Sequence, residues 1–206
     1  PYIVETWLKG WSLSRGLPLP VKSGSGFSVD VGWPEQKTRY VFPHFTDEFT
    51  NLANTITAPW VFLKVCAPPE MIKNALPSRW IIQPPAFMMT CFKPMSSPKT
   101  GLSNEYRLEV ENGVPVSIAK VLTTNGDIAA MGRLVFVDDL VIYDRIETDA
   151  QHRRKGLATI ILKTLENMAT DRGKTNGILV ATIAGKALYD TLGWTLYAPY
   201  TSVVIP

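Results

Sequence analysis

Between residues 140 and 169 the apolar positions change rhythm. Leu140-Val141-Ile142-Tyr143-Asp144-Arg145-Ile146-Glu147-Thr148 is dense in β-branched and apolar side chains, as a largely buried strand is. From Leu157 the pattern recurs at three and four (Leu157, Ile160, Ile161, Thr164, Leu165, Met168), one stripe of an amphipathic helix. Gly173 follows Asp171-Arg172 as its terminator. The turn between them reads Gln151-His152-Arg153-Arg154-Lys155-Gly156-Leu157-Ala158. Gly156 and the small Ala158 let a ligand approach the first helical turn closely. The first helical amides have no intrahelical partner, the helix dipole adds partial positive charge, and three cations stand beside them. Such a turn is an anion site, and phosphate suits it best.

The same reading runs along the rest of the chain. Residues 2–14 form a short helix with Trp7 and Trp11 four apart, as core or interface anchors. Lys22-Ser23-Gly24-Ser25-Gly26 precedes alternating Phe27, Val29 and Val31, so it is a hairpin turn and not a phosphate loop, which needs a following helix. It also lacks the glycine spacing of a hydrolase nucleophile elbow. Strand 40–43, helix 47–56, strand 60–66, helix 69–76 and a strand from 80 to 91 broken by Pro84-Pro85 follow. Residues 94–104 are the best linker. Strands 106–111, 116–122 and 128–137 come next, with Asn125-Gly126 as a hairpin turn. After the central strand and helix, 177–181 reads as a strand, 184–192 as a helix closed by Gly193, and 201–205 as a final strand. The class is α/β.

Strand 61–65, a short helix, then Trp80 with Pro85 five residues on, echoes strand 178–182, a short helix, then Trp194 with Pro199 five on. Either two similar units arose by chance, or the N-terminal half is a degenerate copy of the C-terminal half without the basic loop.

Composition narrows the class. The 206 residues suffice for one large domain or two small ones, and 46% hydrophobic with 19% charged residues is the balance of a soluble globular protein. Net charge is +3, much of it in the basic turn, and three cations on one loop make a ligand-sized patch, not a duplex-sized stripe, so nucleic acid is not expected. No apolar run approaches the roughly 18 residues of a membrane span. The start shows no signal-peptide pattern, although numbering from Pro1 leaves a trimmed start open. Cys66 and Cys91 both sit in apolar runs and read as buried free thiols in a reducing cytoplasm. Two histidines and two cysteines without short spacing give no metal site.

Arg153-x-x-Gly156-x-Ala158, between a strand and a helix, resembles the acetyl-CoA pyrophosphate loop of the GCN5-related N-acetyltransferases, the GNAT superfamily. Ala187-Leu188-Tyr189-x-x-Leu192-Gly193-Trp194 resembles that family's second signature, in the right order and separation. Together they cover about 100–206; the first hundred residues match no common version. The resemblance implies a mixed, mostly antiparallel central sheet with flanking helices, and two parallel strands splayed apart to admit pantetheine. It divides the chain into an N-terminal α/β extension (1–95, the candidate degenerate half), a linker (96–104) and a catalytic core (105–206).

The resemblance further implies an N-acetyltransferase with acetyl-CoA as co-substrate, no metal, and a small-molecule or peptide amine acceptor; neither nucleic acid nor membrane is a partner, and a homodimer stays open. Backbone groups of Ile146, Glu147 and Thr148 would meet pantetheine. Arg153, Arg154, Lys155, Gly156, Leu157, Ala158 and Thr159 would bind the pyrophosphate. A strand amide would polarise the acyl carbonyl. Tyr189 inherits contact with the acyl-CoA and the role of general acid, since a phenol can reprotonate a departing thiolate. Seven residues earlier the family often has an asparagine; here Thr182 stands, whose hydroxyl could serve pantetheine instead.

The attacking amine must lose a proton. Asp144 leads as base, ahead of Glu147 or a water chain; the other role for Asp144 is a structural pair with Arg145 or Arg133. Three residues apart on a strand, the two carboxylates face opposite ways unless a bulge intervenes. Glu105, Glu109 and Glu111 alternate along one strand as a solvated face. The competing reading is a non-catalytic acetyl-CoA-binding sensor or interaction module on the same fold.

Overall fold

A computed structural model describes residues 2–96 and 101–206. In chain order the elements are α1 (Tyr2–Ser14), β1 (Val21–Ser23), β2 (Gly26–Trp33), β3 (Gln36–Phe42), α2 (Asp47–Thr55), β4 (Val61–Val65), α3 (Pro69–Ile72), β5 (Ile81–Ile82) and β6 (Ala86–Cys91). The second half holds β7 (Tyr106–Glu111), β8 (Val116–Thr123), β9 (Ile128–Val137), β10 (Leu140–Thr148), α4 (Leu157–Thr170), β11 (Asn176–Thr182), α5 (Ile183–Thr191) and β12 (Thr195–Val204). Single turns of 3₁₀ helix extend α3 and precede the basic loop. Part of the predicted linker, 97–100, lies outside the described residues.

All strands join one sheet in the order β1-β2-β3-β4-β12-β6-β11-β10-β9-β8-β7, with β5 on the side of β12. Only β3–β4 and β10–β11 run parallel; the other neighbours are antiparallel. Each parallel pair is joined by one helix, α2 or α4, the crossover that parallel pairing requires. The last strand of each half crosses over: β6 pairs with β11, and β12 pairs with β4. One continuous sheet therefore carries both halves.

Helices cover both faces. Leu157, Ile161, Leu162 and Leu165 of α4 pack over Ala119, Val121, Ala130 and Leu134 on one face. Val4, Trp7, Leu8 and Trp11 of α1 pack on the opposite face, against Val135 and Ile142 of one half and Val29 and Val41 of the other. Gly10 makes that crossing close: a Cβ there would stand 2.5 Å from the Ile142 side chain. Phe49 and Ala53 of α2 cover Leu63 and Val65 in a third cluster.

The final strand differs from expectation, running from Thr195 instead of 201. Pro199 lies inside it, next to a bulge of β12 against β6 between Leu196 and Ala198, where proline is tolerated. Trp7 and Trp11 are core, 4% and 3% exposed. The turn at Gly24-Ser25 joins β1 to β2 as a tight hairpin. Cys66 and Cys91 are free; Cys91 is buried, Cys66 half-buried, and burial pushes the Cys66 thiol up to about 12.

Candidate functional site

Strands β10 and β11 pair only through Leu140–Asn176, Val141–Gly177 and Ile142–Ile178, then part. Past the parting, β10 carries a bulge: Asp144 opposes Arg133 and Glu147 opposes Met131, so residues 145 and 146 share the single position of Gly132. Gly132 is required there, because a Cβ would lie 2.6–2.9 Å from Ile161, Ile146 and Leu165. Arg145 takes φ +51 to make the bulge. The backbone at 145–146 thus leaves the ladder with β9, and it has already lost β11.

The bulge also resets the alternation. Asp144 faces α1, and Ile146 packs on the α4 side; one added residue returns Glu147 to the face of Asp144. A cleft of about 570 Å³ occupies the gap, walled by β10 from Tyr143 to Thr148, β11 from Leu179 to Thr182, Arg153 and Ala158 from the basic loop and α4, and Leu188 and Tyr189 from α5.

The loop into α4 has the backbone shape of an anion cradle. Arg154 and Gly156 both take left-handed backbone, φ +61 and +76, and Gly156 caps the helix without a side-chain acceptor. The first turn holds no acidic residue. The amides of Leu157, Ala158 and Thr159 are the unpaired ones every helix start presents, and successive amides in such a turn form an anion-binding concavity. The cations divide. Arg153 lines the cleft with Nε 3.4 Å from the Thr148 carbonyl, and Arg154 is exposed. Lys155 turns away: it donates to the Tyr106 hydroxyl at 2.8 Å, lies 3.9 Å from Glu105, and its pKa is raised chiefly by that hydrogen bond. His152 joins the same hydroxyl through Nδ1 at 2.9 Å.

Tyr189 is 6% exposed, tilted against Trp194 at 5.9 Å between centroids. Burial first, then the Asp144 carboxylate, raise its pKa above the usual phenol value, so it stays protonated. Gly185 leaves room for its ring; a Cβ there would meet Tyr189 at 3.1 Å. Thr182 caps α5, its Oγ1 accepting from the Gly185 N–H at 3.2 Å, and its O–H is left to donate toward the cleft it lines. Thr148 Oγ1 is buried without a partner among the described residues.

Asp144 is gripped by residues that sequence reading did not connect to it. Arg15 donates from Nε at 3.1 Å and Nη2 at 2.9 Å, and Ser14 from Oγ at 2.7 Å. The structural partner of Asp144 is therefore Arg15, not Arg145 or Arg133; Arg133 instead donates to the Ser14 carbonyl. Both partners end α1, some 130 positions away, and Ser14-Arg15-Gly16 reads in the sequence only as a helix terminus. Glu109 and Glu111 are exposed and paired with Arg107 and Lys120 on an edge strand, as a solvated face is. Among the described residues, no three His, Cys, Asp or Glu side chains stand close enough to hold a metal ion, and no helix is long and apolar enough to cross a membrane.

The model of the acetyltransferase (GNAT) family matches residues 88–194, from β6 through α5 to Trp194. A GCN5-related N-acetyltransferase from Kribbella flavida has a similar fold, with a TM-score of 0.60, 13% identity, and coverage of 95% of this chain and 92% of that one. A GCN5-related N-acetyltransferase-like protein from Streptococcus suis aligns at a TM-score of 0.57 and 12% identity over 89% and 85% of the two chains. A tandem GNAT protein from the clavulanic acid biosynthesis pathway aligns at 0.53 and 9% over 69% and 63%. No curated protein matches in sequence. With the family model over half its length, the chain belongs to the GNAT acetyltransferase family, and its fold is the one these structures share.

Proposed function

We propose that this member of the acetyltransferase (GNAT) family moves the acetyl group of acetyl-CoA to the primary amine of a small molecule or peptide, by direct attack and without a covalent enzyme intermediate. The observation that carries the reading is the parting of β10 from β11 beside an uncapped helix N-terminus. An extended amide-bearing arm fits the freed backbone of Ile146, Glu147 and Thr148, and a pyrophosphate fits the cradle from Arg153 to Thr159. Thr182 has one hydroxyl proton to offer the arm.

Acetyl-CoA supplies a thioester carbonyl and a thiol leaving group. The chain's own residues do the rest. A bulge amide at 145–146, free of the ladder, polarises the carbonyl oxygen. Tyr189 holds a proton in a dry wall of the cleft and gives it to the departing sulfur. Asp144, fixed by Arg15 and Ser14, takes the amine's proton, with Glu147 on the same face or a water between them as the other route.

Calorimetric titration with acetyl-CoA tests the reading, with Gly156→Trp as control because that position combines φ +76 with close ligand approach. Micromolar binding lost in the variant supports it, and thiol release with amines then follows. Absence of wild-type binding at millimolar ligand would sink it.

A further inference from the structure

On the face that α1 covers, the molecule buries more positive charge than the fold neutralises. Arg39 on β3 and Lys64 on β4 are 7% and 8% exposed. Among the described residues neither lies within ion-pair distance of a carboxylate: Arg39 reaches only the Gln36 amide, and Lys64 donates to Ser202 Oγ at 2.8 Å. Arg39 and Arg15 share one aromatic platform, their guanidinium carbons 3.6 and 4.9 Å from the Trp11 ring centroid. Asp144 is the carboxylate that faces this group, and Arg15 already takes it. The Tyr200 hydroxyl, in a side chain 3% exposed, has no hydrogen-bond partner among the described residues.

Burying cations without counter-charge is unfavourable unless something supplies the anion. Burial brings Arg39 down to about 10, and burial first, then the charges of Arg39 and Arg15, hold Lys64 well below its ordinary value. The cluster reaches the cleft through Arg15, which forms part of its wall and uses only Nε and Nη2 on Asp144. Arg145 stands in the same wall, its Nε buried and without a partner among the described residues. Asp144 and Glu147 line the same cleft, Asp144 with Arg15 at 2.9 Å. One wall thus offers both signs at close quarters.

Resting on the acetyl-transfer reading, we infer that the acceptor is a small zwitterion, an amino acid, whose carboxylate is held by Arg15 and Arg145 and whose amine turns to Asp144 and Glu147. A planar guanidinium suits a carboxylate, and Arg39, on the same Trp11 ring as Arg15, adds positive field to that side of the cleft. The ammonium gives one proton to the carboxylates. The neutral nitrogen then forms the N–C bond to the acetyl carbonyl as the C–S bond breaks. The sulfur takes a proton from Tyr189, the amide nitrogen sheds its second proton, and one proton in total leaves to solvent.

The test is free-thiol release from acetyl-CoA with the standard amino acids and β-alanine, each against its decarboxylated amine: methylamine for glycine, tyramine for tyrosine, cadaverine for lysine. At least one amino acid is expected to exceed its amine by about a hundredfold or more in kcat/KM, since a site with buried groups built for a carboxylate rejects the analogue lacking it. Arg145→Gln is expected to shrink that ratio about tenfold or more, mainly through KM, with acetyl-CoA affinity retained; a merely structural arginine would leave the ratio alone. Amines equal to or better than amino acids would overturn the inference, and so would calorimetric acetyl-CoA binding with no amino acid turned over. Failure to bind acetyl-CoA would instead overturn the acetyl-transfer reading beneath it.

Discussion

The sheet holds two parallel strand pairs, each with a crossover helix, and they differ where it matters for a ligand. β3 and β4 stay in register over five residues, from Thr38–Val61 to Phe42–Val65, so no gap opens between them. β10 and β11 keep three pairs and part after Ile142, ahead of the bulge. The helix starts differ in the same sense. α2 opens on Asp47 and Glu48, its N-cap Thr46 accepts from the Phe49 amide, and Glu48 accepts from the Ser25 amide at 2.6 Å. Its positive end is already satisfied by carboxylate and hydroxyl. α4 opens on a bare glycine behind Arg153 and Arg154. A strand-helix-strand unit is thus closed in one half and open at its helix start in the other. The difference is a handful of side chains at a helix start and one inserted residue in a strand.

The largest effect is expected at Tyr189, which has no counterpart near the four-residue α3 of the first half. Tyr189→Phe should lower kcat by about 10²–10⁴ while acetyl-CoA affinity, read by calorimetry, stays unchanged. Because burial raises the pKa of Tyr189, its acid form persists to higher pH than an ordinary phenol's; the wild-type kcat profile should show no loss from its ionisation up to about pH 10. Next comes giving α4 the acidic first turn of α2. Ala158→Asp puts a charge where the diphosphate of acetyl-CoA is proposed to lie, and a like-charge pair at about 5 Å and an effective dielectric of about 20 is worth roughly 3 kcal/mol. Acetyl-CoA affinity should fall about a hundredfold, with the melting temperature unchanged or slightly higher, since the same carboxylate favours a helix N-terminus.

A smaller effect separates the shared helix from both halves. Gly10→Ala places a methyl against Ile142 and should destabilise the protein by about 1–3 kcal/mol in denaturant unfolding, shifting Arg15 in the cleft as it does so. The smallest tests the closed half. Backbone hydrogen bonding from Ser25, the largest cause, holds Glu48 below the usual carboxylate pKa. A lowered folded-state pKa contributes stability above the unfolded value of about 4.3 that is lost as pH falls through the folded one. Glu48→Gln should therefore flatten the stability profile slightly below about pH 4.5 and leave acetyl-CoA binding alone.

How far each element could be read follows from where its determinants lie. β9 and β10 match their predicted ranges because both carry long apolar runs between tight turns. α4 is present as expected, but its buried residues are Leu157, Thr159, Ile161, Leu162, Leu165 and Ala169, while Ile160 and Met168 of the expected stripe are only partly buried at its margin. β12 was legible only at its end, since Pro199 hides a strand that a bulge accommodates.

By itself the sequence determined the strand-loop-helix with its basic, glycine-capped turn, the tyrosine on the later helix, and the family these resemble. Those depend on spacing within some ten residues, where backbone geometry dictates which groups meet. Tertiary structure alone decided the bulge that puts Asp144 and Glu147 on one face, the turning of Lys155 to Tyr106, and the delivery of Arg15 to Asp144 by a helix about 130 residues away. It also decided the exchange of β6 and β12 between halves. Contacts between distant segments depend on how whole faces pack, and no local pattern of residues encodes which distant partner a side chain will meet.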